Sequence, residues 1–361
     1  MPDDFPTDRR SVSPAAARDF LREMVSIPSP TGEERAAAEH LAVWLREHGR
    51  EVFLDEVSNV RAPGDDAVLM TSHVDTVPGE IEVREADGEL WGRGSVDATG
   101  PLCAMAVAAV ETGVSFVGVV GEETDSRGAR HLVADRDPPA ALVNGEPSGW
   151  DAVTLGYRGF LAGTARAETA STHSSRPEPN AIQQLLAWWQ DVEATFEPGD
   201  SGDGDESDAV DASAFESVTA KPVAVDGGLA DDGHAVTAEM DVRFRLPPGT
   251  TAGDVRERVA DERVTVDWDE PIPPTVQSPR TDLERAFRVA IREADGDPGL
   301  LRKTGTSDMN VFAQAWDRPM VTYGPGDSAL DHAPDERLDL AGYDRAVEVL
   351  VAVAERMRDR S

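Results

Sequence analysis

Two histidines and four acidic residues stand at or just beyond the ends of apolar runs. His73 closes AVLMTSH, Glu122 and Glu123 follow VSFVGVVG, and Glu146 follows AALVNG. Asp97 lies in GRGSVDATGP, and His332 ends MVTYGPGDSALDH. Imidazole and carboxylate donors without thiolate suit zinc, with cobalt or manganese as alternatives. A carboxylate offers one oxygen to each of two ions about 3.5–4 Å apart, so Asp97 is the natural bridge of a two-metal site. His73 and Asp75 fall on the same side of an extended chain. Asp75 is therefore expected to accept the second ring N–H of His73 and fix its tautomer. Neighbours at a strand end diverge, so Glu123 is assigned to metal and Glu122 to general base. Glu122 would take a proton from a metal-activated water that attacks an amide carbonyl, then return it to the leaving amine. His40, His48, His131 and His234 lie in charged or polar surroundings and are read as structural or surface residues.

Positioning such a set requires a scaffold that brings distant residues to one edge. Short β-rich runs alternating with helical patterns predict an α/β domain, a mostly parallel sheet with helices on both faces. Ligands in such sheets collect beyond the carboxyl ends of the strands. Ser13-Pro14 reads as a cap and first helical residue, Thr31-Gly32-Glu33-Glu34 as a capping box, and Gly49 as a helix stop. A helix opening near Pro101 places Asp97 at its N-terminus. From about Val153 to Glu270 the pattern changes to strand, helix, strand, strand, helix, strand, predicting an inserted α+β lid. The expected division is a discontinuous catalytic domain, 1–152 and 272–361, around a lid of 153–271. Within the lid, 197–217 is acidic, poor in large apolar groups, and read as a solvated loop without a catalytic role. The first dozen residues are polar and read as mobile.

At 361 residues the chain is long for one core, and 69 acidic against 34 basic residues give a net charge of −35. Only Lys221 and Lys303 are lysines. A surface this acidic suits concentrated salt, where screening shortens self-repulsion, and it disfavours nucleic acid as a partner. One cysteine, Cys103, excludes a disulfide within the monomer. No signal-peptide pattern and no membrane-spanning apolar run is present, so a cytoplasmic protein is expected.

HVDTV at 73–77, GRGSVDATG at 92–100, GEETDSRG at 121–128, NGEPSG at 144–149 and GPGDSALDHAPDE at 324–336 together resemble the two-zinc aminoacylase and peptidase family. That family includes acetylornithine deacetylase, succinyl-diaminopimelate desuccinylase and glutamate carboxypeptidases. The resemblance implies one zinc on His73, Asp97 and Glu146, and another on Asp97, Glu123 and His332. It implies a homodimer formed through the lid, with His173 stabilising an oxyanion and Asn180 contacting substrate. Thr99 stands where many relatives have lysine. GYRG at 156–159, which contains Arg158, and KTGTSDMN at 303–310 look most like hydrolases that release lysine or ornithine from a small acidic amino-group carrier protein. On that likeness Lys303 is expected to bind a carboxylate or carrier residue. The turn of Thr304, Gly305, Thr306 and Ser307 is expected to hold a carboxylate through backbone N–H groups. Deacylases or dipeptidases sharing every metal residue remain alternatives, as does a catalytically silent metal-binding protein.

Overall fold

A computed structural model describes residues 12–196 and 214–360, which divide into two compact units. The first comprises residues 12–155, 277–301 and 307–360; the second comprises 156–276, less the undescribed stretch, with 302–306. Residues 302–306 thus group with the inserted unit, against the sequence expectation that they belong to the catalytic domain. The cause is local: Arg158 donates from its backbone to the Lys303 carbonyl and from Nε to that of Thr304, while Arg245 donates to the Thr306 hydroxyl.

The first unit is built on a twisted mixed sheet. Over seven of its nine strands the spatial order is Phe53–Leu54, Val60–Ala62, Val114–Val119, Asp65–His73, Leu142–Gly145, Met320–Gly324 and Gly149–Tyr157. The middle four strands are parallel, and antiparallel partners flank them on both sides. Side chains alternate across this sheet. Val68, Met70, Phe116, Val143, Val321 and Tyr323 join one core with helices Pro14–Val25, Thr99–Thr112, Asp282–Glu293 and Leu340–Arg358. The alternate residues Leu69, Val117, Leu142 and Met320 are also buried, and Thr322 on that side meets Met309 of helix Asp308–Ala315. Both faces are therefore covered, which explains why the strands read as near-continuous apolar runs.

Local signals fix the helices that flank the site. Ser13 caps helix Pro14–Val25 through its hydroxyl at 3.2 Å from the Ala16 N–H. The capping box expected at Thr31 does not form: helix Arg35–Glu47 starts beyond it, and the Thr31 hydroxyl donates to Asp75 at 2.7 Å. A buried carboxylate is the stronger acceptor. Helix Thr99–Thr112 begins two residues before Pro101 and is apolar all round, as a fully buried helix must be. It contains Cys103, which is buried and free.

The second unit is a four-stranded antiparallel sheet, in order Thr219–Leu229, Ala235–Leu246, Gly159–Ala170 and Thr265–Trp268. Helices Ala181–Phe196 and Ala252–Arg258 supply Leu185, Trp188, Val192 and Val255 to its core. The expected acidic loop at 197–217 lies mostly outside the described residues; where description resumes, 214–216 are helical and Phe215 is buried. The first eleven residues, expected to be mobile, also lie outside. No helix among the described residues is long and apolar enough to cross a membrane.

Candidate metal centre

The parallel strands deliver their loops to one edge. His73 ends its strand beside Val119, and Ser72 lies beside Gly145. At Gly145 a Cβ would sit 2.5 Å from that of Ser72, so only glycine lets the Glu146 strand approach so closely. Gly121 takes a φ of +78°, turning the chain so that residues 121–123 present three N–H groups inward.

Those three N–H groups converge on Asp75, which is completely buried. Its Oδ1 accepts from Gly121 at 2.9 Å and Glu122 at 3.2 Å, and its Oδ2 from Glu123 at 3.2 Å and the Thr31 hydroxyl at 2.7 Å. The second nitrogen of His73, Nδ1, is met by the backbone carbonyl of Asp75 at 2.7 Å, not by its carboxylate, which stays 3.8 Å away. Asp75 therefore departs from the sequence expectation. Its main chain orients the histidine, while its side chain is committed to four donors and shapes the Glu122-Glu123 turn.

Asp97 divides its oxygens as a bridge would. Oδ1 lies 3.1 Å from His73 Nε2, and Oδ2 lies 3.1 Å from His332 Nε2. Glu123 is 3.1 Å from the same His332 nitrogen, and Glu146 is 3.8 Å from His73 Nε2. Ligand atoms of His73, Asp97 and Glu123 lie within 4.8 Å of one another, as do those of His73, Glu122 and Glu146. Ligands with arms of about 2.0–2.2 Å on a tetrahedral ion stand roughly 3.3–3.6 Å apart, so these spacings fit shared divalent cations.

The electrostatics point the same way. Burial works against a charged His73, yet the hydrogen bond to Asp97 and the charges of Glu146 and Glu122 push it well above the ordinary histidine range. Hydrogen bonds to Asp97 and Glu123 raise His332 to about 10. Burial would raise Asp97, but its hydrogen bonds with His332 and His73 hold it far below the usual carboxylate range. The carboxylates thus draw a proton onto each imidazole nitrogen, where a dication bound between ring and carboxylate would replace it. Glu122 behaves differently: burial, reinforced by Glu146 and opposed by His73, pushes it well above the carboxylate range. That direction brings a general base closer to neutrality.

The residues assigned to substrate all belong to the second unit, Ser307 excepted. Arg158 is buried and donates from Nη1 to the carbonyls of Ala214 at 2.7 Å and Ser217 at 3.3 Å, besides its bond to Thr304. Its observed work is to tie residues 302–306 and 214–219 to the lid. Burial lowers its pKa to about 10. Asn180 and Gln183 exchange backbone-to-side-chain bonds at 3.0 and 3.1 Å, capping helix Ala181–Phe196. His173 is exposed, its Nδ1 2.8 Å from the Ser175 hydroxyl. Ser307 caps helix Asp308–Ala315, and its N–H goes to Asn310 at 3.0 Å, so it is not available to a carboxylate. Around Gly305 there is open space, and Lys303 and Thr304 are half-buried.

Comparison with known proteins settles the ancestry. Residues 69–356 match the model of peptidase family M20/M25/M40. The chain belongs to that family. This M20 chain is 42% identical to a LysW-lysine hydrolase of Deinococcus radiodurans, with 95% of the chain and 97% of the relative covered. It is 36% identical to a putative LysW-lysine/LysW-ornithine hydrolase of Thermococcus kodakarensis, covering 94% and 92%. Its fold matches an M20 family metallo-carboxypeptidase of Sulfolobus solfataricus with a TM-score of 0.76 at 16% identity, covering 94% of the chain and 99% of that structure.

Two buried acids of the M20 chain escaped the sequence reading. Glu336, four residues after His332, accepts from the segment that carries Asp97. Asp308 is raised to about 6 chiefly by burial, neither of its carboxylate oxygens has a hydrogen-bond partner among the described residues, and its charge acts on Glu122. Both stand in the quoted segments HAPDE and TSDMN. Their burial was the missing signal.

Proposed function

We propose that this metal-dependent amide hydrolase releases lysine or ornithine from the γ-carboxyl group of a carrier protein's C-terminal glutamate. What carries the substrate assignment is 42% identity to a LysW-lysine hydrolase over nearly the whole of both chains. What supports the reaction type is the division of Asp97 between His73 and His332, with Glu122 gathered beside His73 and Glu146. His73, Asp97 and Glu146 would hold one ion, and Asp97, Glu123 and His332 the other. Zinc fits this donor set best, with cobalt or manganese as substitutes. When bound, the pair supplies Lewis-acid polarisation of the carbonyl and lowers the pKa of the attacking water.

The chain's own residues do the rest. Glu122 takes the proton of the attacking water as the C–O bond forms, and delivers it to the amine nitrogen as the C–N bond breaks. Asp75 accepts the backbone N–H of Glu122 and so fixes the turn from which that side chain extends. In the lid, His173 would serve the oxyanion in a second copy, and Lys303 with the 304–306 turn would meet a carboxylate. Asn180 stays a substrate contact only through groups its cap leaves over. Dimerisation through the lid, a cytoplasmic location and adaptation to concentrated salt complete this reading; the last is supported by the charge of −35.

Purified, metal-loaded protein incubated with carrier-linked lysine, carrier-linked ornithine and N-acetylornithine tests it. Release of free lysine or ornithine from the carrier is expected. Turnover of the acetylated compound alone would replace this assignment with a deacylase.

A further inference from the structure

Glu336 lies 0% exposed and gathers four donors. Its Oε1 accepts from the N–H groups of Val96 at 2.8 Å and Asp97 at 3.1 Å. Its Oε2 accepts from Gly94 N–H at 3.0 Å and Arg93 Nη1 at 2.7 Å. The chain from Arg93 to Asp97 is thus wrapped around one carboxylate. Glu336 itself sits at the end of His332-Ala333-Pro334-Asp335-Glu336, directly before strand Arg337–Asp339, which pairs with Glu89–Trp91. One side chain therefore spans the segment bearing the bridging ligand Asp97 and the segment bearing His332. Such a buried anion is far stronger as a template than a surface one, because each N–H would otherwise lack a partner.

We propose that Glu336 is a positioning residue for the metal ion shared by Asp97, Glu123 and His332, acting by holding the Asp97 loop at a fixed distance from His332. It touches neither substrate nor reacting atoms. The inference rests on the two-ion reading above. Asp75 does the equivalent service for the 121–123 turn, so each of two ligand-bearing loops is built around its own buried acid. Losing such outer partners typically weakens metal binding about 10–100-fold.

The test is a cobalt titration of metal-free protein, followed by visible absorption and by bound-metal analysis, on the wild type, Glu336→Gln and Arg93→Met. His332→Ala identifies the absorption step that belongs to its ion. Glutamine keeps the shape but turns an NH2 group towards the N–H donors. The expected result for Glu336→Gln is a 10–100-fold weaker step for the His332 ion, with an altered spectrum, while the other step moves less. Arg93→Met, which leaves all three backbone donors in place but removes the charged one, should weaken the same step by about 2–10-fold. Wild-type midpoints and spectrum in Glu336→Gln overturn the proposal; if that variant does not fold, an unmoved titration in Arg93→Met does so. A wild type that takes up no second ion fails the two-ion reading instead.

Discussion

The candidate residues of the first unit follow from where apolar runs end and those of the second from likeness to a family, and the structure treats the two sets in opposite ways. In the first unit six residues from five separate segments turn their polar atoms towards one another, with His73, Asp97 and His332 in a chain of 3.1 Å contacts. In the second, Arg158 and Asn180 are spent on their own unit, as a clamp on carbonyls and a helix cap. A metal centre needs several unlike segments to end in ligand types at once, and coincidence rarely imitates that. A substrate contact needs one side chain with a free polar group, and nothing in a sequence shows whether that group already has a partner.

The contrast breaks most sharply at Glu122. Glu122→Gln should lower turnover about 10²–10⁴-fold while bound metal, measured by elemental analysis, stays at the wild-type level. Turnover within a few-fold of wild type would remove the base from the account.

A smaller effect follows from His332. Its pKa in the metal-free protein is raised from the ordinary histidine value of about 6.5 to about 10. Its contribution to stability is therefore present in full below about 6.5 and lost as pH rises through about 10. Metal-free protein should lose melting temperature across that window relative to the loaded protein, in which His332 would bind as neutral imidazole and carry no such proton. Parallel melting curves for the two forms would contradict the placement of His332.

The smallest effect belongs to Asn180. Asn180→Ala should cost about 1 kcal/mol of lid stability, seen in denaturant melts, with kcat unchanged if its cap is its whole role. A fall in kcat or a rise in KM would instead restore the substrate contact and narrow the difference between the units.

What could be read in the sequence follows the same division. The runs ending at His73, Glu122-Glu123, Glu146 and His332 are buried parallel strands and their loops, so period and termination were enough to find them. Ser13-Pro14 was legible because a cap is a local device. Thr31 was not, because its hydroxyl is taken by Asp75, 44 residues away. Glu336 was hidden for a different reason: one acid among 69 carries no mark until burial and four donors distinguish it. Asp75 was half legible, its place correct and its partner supplied by the main chain instead of the carboxylate.

The central claim is that Asp97 is shared between two ions. Metal content of Asp97→Asn, set beside Glu146→Ala and His332→Ala after saturation and removal of free metal, tests it most directly. The account predicts two ions per chain in the wild type, one each in the Glu146 and His332 variants, and weakened binding at both sites in Asp97→Asn. An Asp97→Asn protein that loses one ion and keeps the other at wild-type affinity would contradict it.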